Sequence, residues 1–445
     1  MRIEDYLRLV TGQIRCKKAC PCVEKELEDH IMDQMEVYVK DGMDEEEALD
    51  KAILEMGDPV EVGVEFDRIH RPQMSWGMVL AVGILGILSV VLQYRLKVAG
   101  NEMGLPHKQL VFTVVGFLLM LGVYYLDYSI LGKYGKQIGA AFLGFMILTI
   151  PFRVMVNEAS TFIYLGGFTI SVPLVMYLYV PVFGGILYAY RKGGYGVLWK
   201  IALWAIVPVL LVFRVPSLFH ACFLTLTLMV MFTAAVRKGW YQVSEKKVLS
   251  VLWTGAVLIP VLVLLGGNAL TAYQQNRLEA FLRGSNTMDY IGKSISEIFK
   301  RSVLFGESKA GLAILNNQIP GIHSEYVFVS LVACFGIVAG VLVVGVYFGM
   351  IWKTLRISKE QHNQLGAVVG YGCSMVFAVQ IIYNFLQCLR VAPASSVALP
   401  FLANSGSGTL VSYILMGIIL SVYRYKNIPL NADAKKLPKV RITVE

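Results

Sequence analysis

Charge is what this 445-residue sequence has least of. Asp, Glu, Lys and Arg make up 16% of it, against about a quarter in an ordinary soluble domain. Hydrophobic residues make up 56% and the mean hydropathy is +0.60. The shortage is uneven: charges crowd into the first seventy or so residues, the loops and the tail, and long apolar runs lie between them. Such a pattern excludes an ordinary soluble domain, because runs of about 20 apolar residues span a bilayer and satisfy their backbone groups internally as helices. The formal charge of +9 does not point to nucleic acid, since the basic residues stand mainly between hydrophobic segments, where they set topology. Cysteine is too scattered for a disulfide framework. Cys222, Cys334, Cys373 and Cys388 lie in apolar runs, where a free thiol acts as a small hydrophobe. Cys16, Cys20 and Cys22 cluster, but no second cluster at zinc spacing accompanies them. A signal-peptide pattern is also missing, because the first apolar run begins near Trp76, behind a charged segment.

What is present divides into three stretches. Residues 1–72 read as a small cytoplasmic helical domain, with one helix over about Val23–Val39. Asp44 followed by Glu45, Glu46 and Glu47 reads as an N-cap with an acidic first turn. Ala48, Leu49, Ala52, Ile53 and Met56 then recur at helical spacing, and Gly57-Asp58-Pro59 stops that helix. Residues 73–427 read as an all-α integral membrane bundle of about ten transmembrane helices. The spans start near Trp76, Leu110, Ile138, Ile170, Leu198, Leu218, Val248, Tyr326, Ala367 and Thr409. Residues 428–445 form a basic tail. Short loops rich in Lys and Arg, such as those of Lys133 and Lys136, Arg191 and Lys192, and Arg237 and Lys238, place both termini in the cytoplasm. One loop, about 266–324, is out of proportion and falls outside; long structured loops are usually functional.

That loop and the spans after it resemble the SEDS family of bacterial cell-wall polymerases, the FtsW, RodA and SpoVE group. "YQQNRLEAFLRG", with Tyr273, Gln274 and Arg277, resembles the opening of the family's large loop. "IPGIHSEYVFVSLVACFG" resembles the segment that carries the family's catalytic aspartate, matching at Pro320, His323, Phe328 and Gly336. "NFLQCLRVAPASSVALPFLANSGSG" resembles a third family segment, matching at Asn384, Pro393, Leu399, Pro400, Phe401, Gly406 and Ser407. The N-terminal stretch resembles the HAAS-type prefix domains of some bacterial membrane proteins. The departures are as specific: Glu325 stands where the family has aspartate, and Ala333 and Cys334 stand where it has paired acids.

The resemblance implies a peptidoglycan glycosyltransferase that polymerises lipid II into glycan strands at the outer face of the cytoplasmic membrane. Glu325 is then the catalytic base and His323 its orienting or proton partner. Arg277, Lys293, Lys309 and Arg390 are the cations set to bind pyrophosphate, and Asn384, Ser405, Gly406 and Ser407 complete the substrate-binding set. A divalent cation, Mg or Mn, bridging carboxylate and pyrophosphate is the one cofactor this chemistry suggests, with no ligand cluster to identify it. The implied partners are lipid II, the growing glycan strand, membrane lipids and a class B penicillin-binding protein, and not nucleic acid. Two alternatives stay open at this level: a non-catalytic scaffold of wall synthesis, and a transporter of lipid-linked precursor.

Overall fold

The computed structural model describes residues 2–100, 105–156, 159–165, 168–213, 215, 218–265, 286–319 and 321–427. They divide into two units, one comprising Met1–Met74, Glu360–Gly366 and Tyr423–Glu445, the other Ser75–Lys359 and Ala367–Val422. The tail, residues 428–445, lies outside the described residues.

In the first unit four helices, α1 (Ile3–Gln13), α2 (Cys20–Lys40), α3 (Glu45–Glu55) and α4 (Pro59–His70), follow one another closely. Each buries one stripe, and Tyr6, Val10, Ile14, Val23, Leu27, Ile31, Ala52, Ile53 and Phe66 form their common core. The Asp44 carboxylate accepts from Glu46 N, as its cap position requires. Gly57-Asp58-Pro59 does two jobs: it ends α3 and starts α4, whose first N–H groups, those of Val60 and Glu61, are taken by the Asp58 carboxylate. Cys16 and Cys22 are packed as buried apolar groups. Tyr425 packs on the same core, His70 Nδ1 lies 2.9 Å from Asn427 O, and Asn427 Nδ2 donates to Ile69 O at 2.9 Å.

The second unit carries the spans. Among the described residues, eight helices are long and apolar enough to cross a membrane. They are α5 (Trp76–Val98), α6 (Pro106–Tyr125), α8 (Val172–Ala189), α9 (Tyr195–Phe213), α10 (Leu218–Arg237), α15 (Ile337–Lys359), α16 (Gln364–Cys388) and α17 (Ser407–Arg424). The two remaining predicted spans are also helices of spanning length, α7 (Ser129–Leu148) and α11 (Glu245–Leu265). Among the described residues between α11 and α15 lie three shorter helices, α12 (Asn286–Arg301), α13 (Lys309–Gln318) and α14 (Val327–Phe335).

Two features depart from the predicted pattern. The span expected from Tyr326 is interrupted at Gly336, where φ is 89°; α14 ends there and the crossing helix begins at Ile337. A three-stranded antiparallel sheet, β1 (Arg153–Val156), β2 (Ala159–Leu165) and β3 (Phe168–Ser171), stands between α7 and α8. Its register pairs Arg153 with Ile163 and Ile163 with Ile170.

Helices in this unit approach closely through glycine. A Cβ at Gly185 would lie 2.0 Å from Leu131 O, and one at Gly135 would lie 2.6 Å from Gly185 C, so α7 and α8 meet backbone to backbone. Tyrosines of α8 serve as packing groups: Tyr177 and Tyr179 are buried, and Tyr179 OH donates to Trp204 O at 2.8 Å.

Candidate active site

Three of the sequence-predicted residues, His323, Glu325 and Asn384, meet at a tight turn, residues 321–326, that leads into α14. Gly321 has φ 75°, and a Cβ there would stand 2.9 Å from Glu325 Oε2. The half-buried Glu325 side chain therefore folds back over the start of its own turn, into space that only glycine leaves open. The turn is closed by Ser324 N and Tyr326 N, both donating to Gly321 O at 3.0 Å. Ser330 Oγ, one turn into α14, donates to Ile322 O at 2.8 Å.

The other face of the turn is held by the end of α16. Asn384 Nδ2 donates to Glu325 O at 2.8 Å and to Val397 O at 2.7 Å. Gln387 Nε2 reaches the same two carbonyls, each at 3.1 Å, while its Oε1 accepts from Ser395 N and Ser395 Oγ. Two side-chain amides thus lock Glu325 to the loop after α16 and satisfy carbonyls that no helix ladder serves. Asn384 is wholly buried; its place is behind the carboxylate, as a positioning residue.

His323 is set from the opposite side. Its Nδ1 lies 2.9 Å from Gln93 Oε1, and its carbonyl accepts from Asn404 N at 2.8 Å. The Gln93 amide thus fixes the ring through Nδ1. Burial holds the ring's pKa below its ordinary value, so the imidazole is neutral at neutral pH. Gln93 belongs to a buried polar row on α5 and α6: Gln109 Nε2 donates to Ser89 Oγ at 2.6 Å, and Ser89 Oγ donates to Leu402 O at 2.7 Å.

The predicted cations occupy several elements. Lys293 is exposed on α12, and Lys309 is exposed as the first residue of α13, behind the N-cap Ser308. Arg390 follows the end of α16 with φ 63°, a left-handed conformation uncommon outside glycine. A Cβ at Gly292 would meet Arg390 Nε at 2.6 Å, and Arg390 Nη1 donates to Ser296 Oγ at 3.3 Å, so the guanidinium lies across α12 beside Lys293. Arg277 lies outside the described residues. Ser405 and Gly406 (φ 53°) form the turn into α17. Ser407 is buried, and its Oγ accepts from Ser171 N at 3.0 Å, which ties the third motif to the end of β3.

Sequence reasoning missed Gln93, Gln387, Arg95 and Glu307. The last two pair at 2.6 Å, joining α5 to the segment between α12 and α13. The signal that marks Gln93 and Gln387 is plain afterwards: an uncharged amide inside an apolar run is costly unless hydrogen-bonded. Among the described residues, no three His, Cys, Asp or Glu side chains come together as a metal-ligand set.

Comparison with known proteins bears on the whole bundle. The model of the FtsW/RodA/SpoVE family, described as cell cycle protein, matches residues 71–428. A probable peptidoglycan glycosyltransferase FtsW of Trichlorobacter lovleyi is 23% identical over 361 residues, covering 78% of this chain and 91% of the relative. A second, from Lactococcus lactis, is 23% identical over 396 residues, with 80% and 90% covered. Among solved structures, a chain from work on the coordination of polymerization and crosslinking by a peptidoglycan synthase complex superposes with TM-score 0.62 at 21% identity, covering 79% of this chain and 98% of that one. The rod shape determining protein RodA of Thermus thermophilus superposes with TM-score 0.56 at 16% identity, with 79% and 97% covered. A fold of ten spanning-length helices, a glycine-turned carboxylate ahead of α14 and a family match running from residue 71 to residue 428 agree: this chain belongs to the FtsW/RodA/SpoVE family.

Proposed function

We propose that this chain is a peptidoglycan glycosyltransferase that polymerises lipid II into glycan strands at the outer face of the cytoplasmic membrane, with both termini cytoplasmic. The observation that carries the reading is Glu325: a carboxylate on a glycine-made turn, its backbone carbonyl accepting from two buried amides, where the resemblance puts the family's catalytic aspartate.

In this reading the Glu325 carboxylate takes the proton of an acceptor sugar hydroxyl as that oxygen bonds to the anomeric carbon of the donor. The bond from that carbon to pyrophosphate oxygen breaks, and undecaprenyl pyrophosphate leaves with the electron pair. General-base help of this kind contributes about 10²–10⁴-fold. His323, neutral and held at Nδ1 by the Gln93 amide, orients the hydroxyl or relays its proton. Lys293 and Arg390, adjacent across α12, offer positive charge to the leaving pyrophosphate. The extra methylene of glutamate is accommodated by the fold-back over Gly321. A class B penicillin-binding protein is the proposed partner, in keeping with the peptidoglycan synthase complex among the similar structures.

The test is glycan-chain formation from labelled lipid II by purified protein, with and without its transpeptidase and with divalent metal added. The expected outcome is polymer from the wild type and a loss of at least about 10²-fold in Glu325→Gln. Equal polymer from both would remove Glu325 from the mechanism. No polymer from either, with folded protein and partner present, would favour the scaffold.

A further inference from the structure

The segment between α12 and α13 is built in an unusual way. It runs antiparallel to the break at Gly336 and pairs with it through backbone. Gly306 N donates to Phe335 O at 3.2 Å, Ser308 N to Ala333 O at 3.0 Å, Ile337 N to Val303 O at 2.9 Å and Val338 N to Leu304 O at 3.2 Å. A Cβ at Gly336 would stand 2.6 Å from Leu304 O, so this strap seats only against glycine. Its backbone is thereby committed inward. Its side chains are not: Val303, Leu304 and Phe305 are 41%, 65% and 74% exposed.

Single exposed apolar residues are ordinary, but a contiguous patch marks a surface that something covers. Here the patch is continuous with a membrane-crossing face. Ile337, at the first turn of α15, is bonded to the strap, and Val341 and Leu342 one turn on are 65% and 66% exposed on a helix long and apolar enough to span. The strap therefore sits at the level where that span begins. Basic residues flank it, Lys300 and Arg301 before and Lys309 after, while the nearby acids are engaged, Glu297 with Arg301 at 2.7 Å and Glu307 with Arg95 at 2.6 Å. An apolar wedge between cationic side chains suits the headgroup–acyl boundary of a phospholipid leaflet, where such wedges bury about 5–10 Å deep.

We infer that Val303-Leu304-Phe305 is a lipid-anchoring wedge, inserted into the leaflet that α15 enters at Ile337. The anchor holds α12 and α13, and with them Lys293 and Lys309, at the membrane surface, and it does so whether or not the proposed activity is correct.

The experiment uses full-length protein in phospholipid nanodiscs, with a fluorescent amino acid placed at position 305 by codon suppression. An identical label at Glu46, exposed in the first turn of α3, serves as the aqueous reference. Lipids brominated high on the acyl chain should quench the label at 305 several-fold more than the label at 46, and iodide in the buffer should do the reverse. Iodide quenching at 305 equal to that at 46 would show the wedge facing water and overturn the inference. Protection from both quenchers would overturn it equally, by showing that a protein surface covers the wedge. Should the label at 305 prevent recovery of monodisperse protein, position 304, 65% exposed, carries the same expectations.

Discussion

The two units complete backbone hydrogen bonding at their helix ends by the same chemistry in opposite surroundings. In the first, the Asp44 and Asp58 carboxylates accept from exposed N–H groups at the starts of α3 and α4. In the second, the Asn384 and Gln387 amides donate to the carbonyls of Glu325 and Val397, where no ladder reaches. Water can replace the aspartates at modest cost; it cannot as easily replace a buried amide, because an unmade buried bond carries the full desolvation penalty. Charge divides along the same line. Nineteen of the 31 acidic residues but only ten of the 40 basic ones fall in residues 1–74, so the prefix is acidic within a basic chain. Packing differs too: the first unit buries side-chain stripes, while α7 and α8 of the second meet through glycine. The same bond decides little in a wet unit and much in a dry one.

That contrast can be broken at three points of decreasing expected effect. Gly185→Leu drives a side chain into Leu131 O and should exceed the usual overpacking cost of about 1–3 kcal/mol, with loss of monodisperse protein on size exclusion. Survival of the variant with an unchanged thermal midpoint would show that α7 and α8 can separate freely. Asn384→Ala should cost about 1–3 kcal/mol. It should also lower kcat for lipid II polymerisation about tenfold, the loss that 1.4 kcal/mol of misplacement gives, with KM unchanged. Together with Gln387→Ala it should cost more than the two singles summed, since each amide covers for the other at both carbonyls. Asp58→Ala should cost only about 1 kcal/mol, seen as faster amide exchange confined to residues 59–70, with polymerisation untouched. An Asp58 effect as large as that of Asn384 would erase the distinction between the units.

Much of the bundle was legible because its signal is one-dimensional. Trp76 and Leu218 begin helices where the hydropathy pattern put them; Leu110 moved only to Pro106 and Ala367 to Gln364, while the start expected at Ile138 lies back at Ser129. The break at Gly336 was not legible, since Val327–Phe335 is as apolar as the span beyond it and only the strap bonded to that turn explains the interruption. The sheet at 153–171 was missed because its strands are short and sit between two hydrophobic helices. In the site, the motif residues Glu325, His323 and Asn384 converge on one turn, but Asn384 lies behind the carboxylate, and Gln93 arrives from 230 positions away. Lys293 and Arg390 sit on distant stretches of chain, and their adjacency across Gly292 comes from a packing contact that no local pattern encodes.

The sequence by itself determined that this chain crosses a membrane repeatedly and that an acidic helical prefix precedes the spans. Hydropathy, capping and motif order are properties of neighbouring residues, and neighbours are what a sequence lists. Only the tertiary structure decided what holds the backbone at Glu325, which cations lie together, and that an apolar strap rides at the mouth of α15. Those depend on hydrogen bonds and close approaches between residues far apart in the chain, and such contacts exist only once the helices have packed.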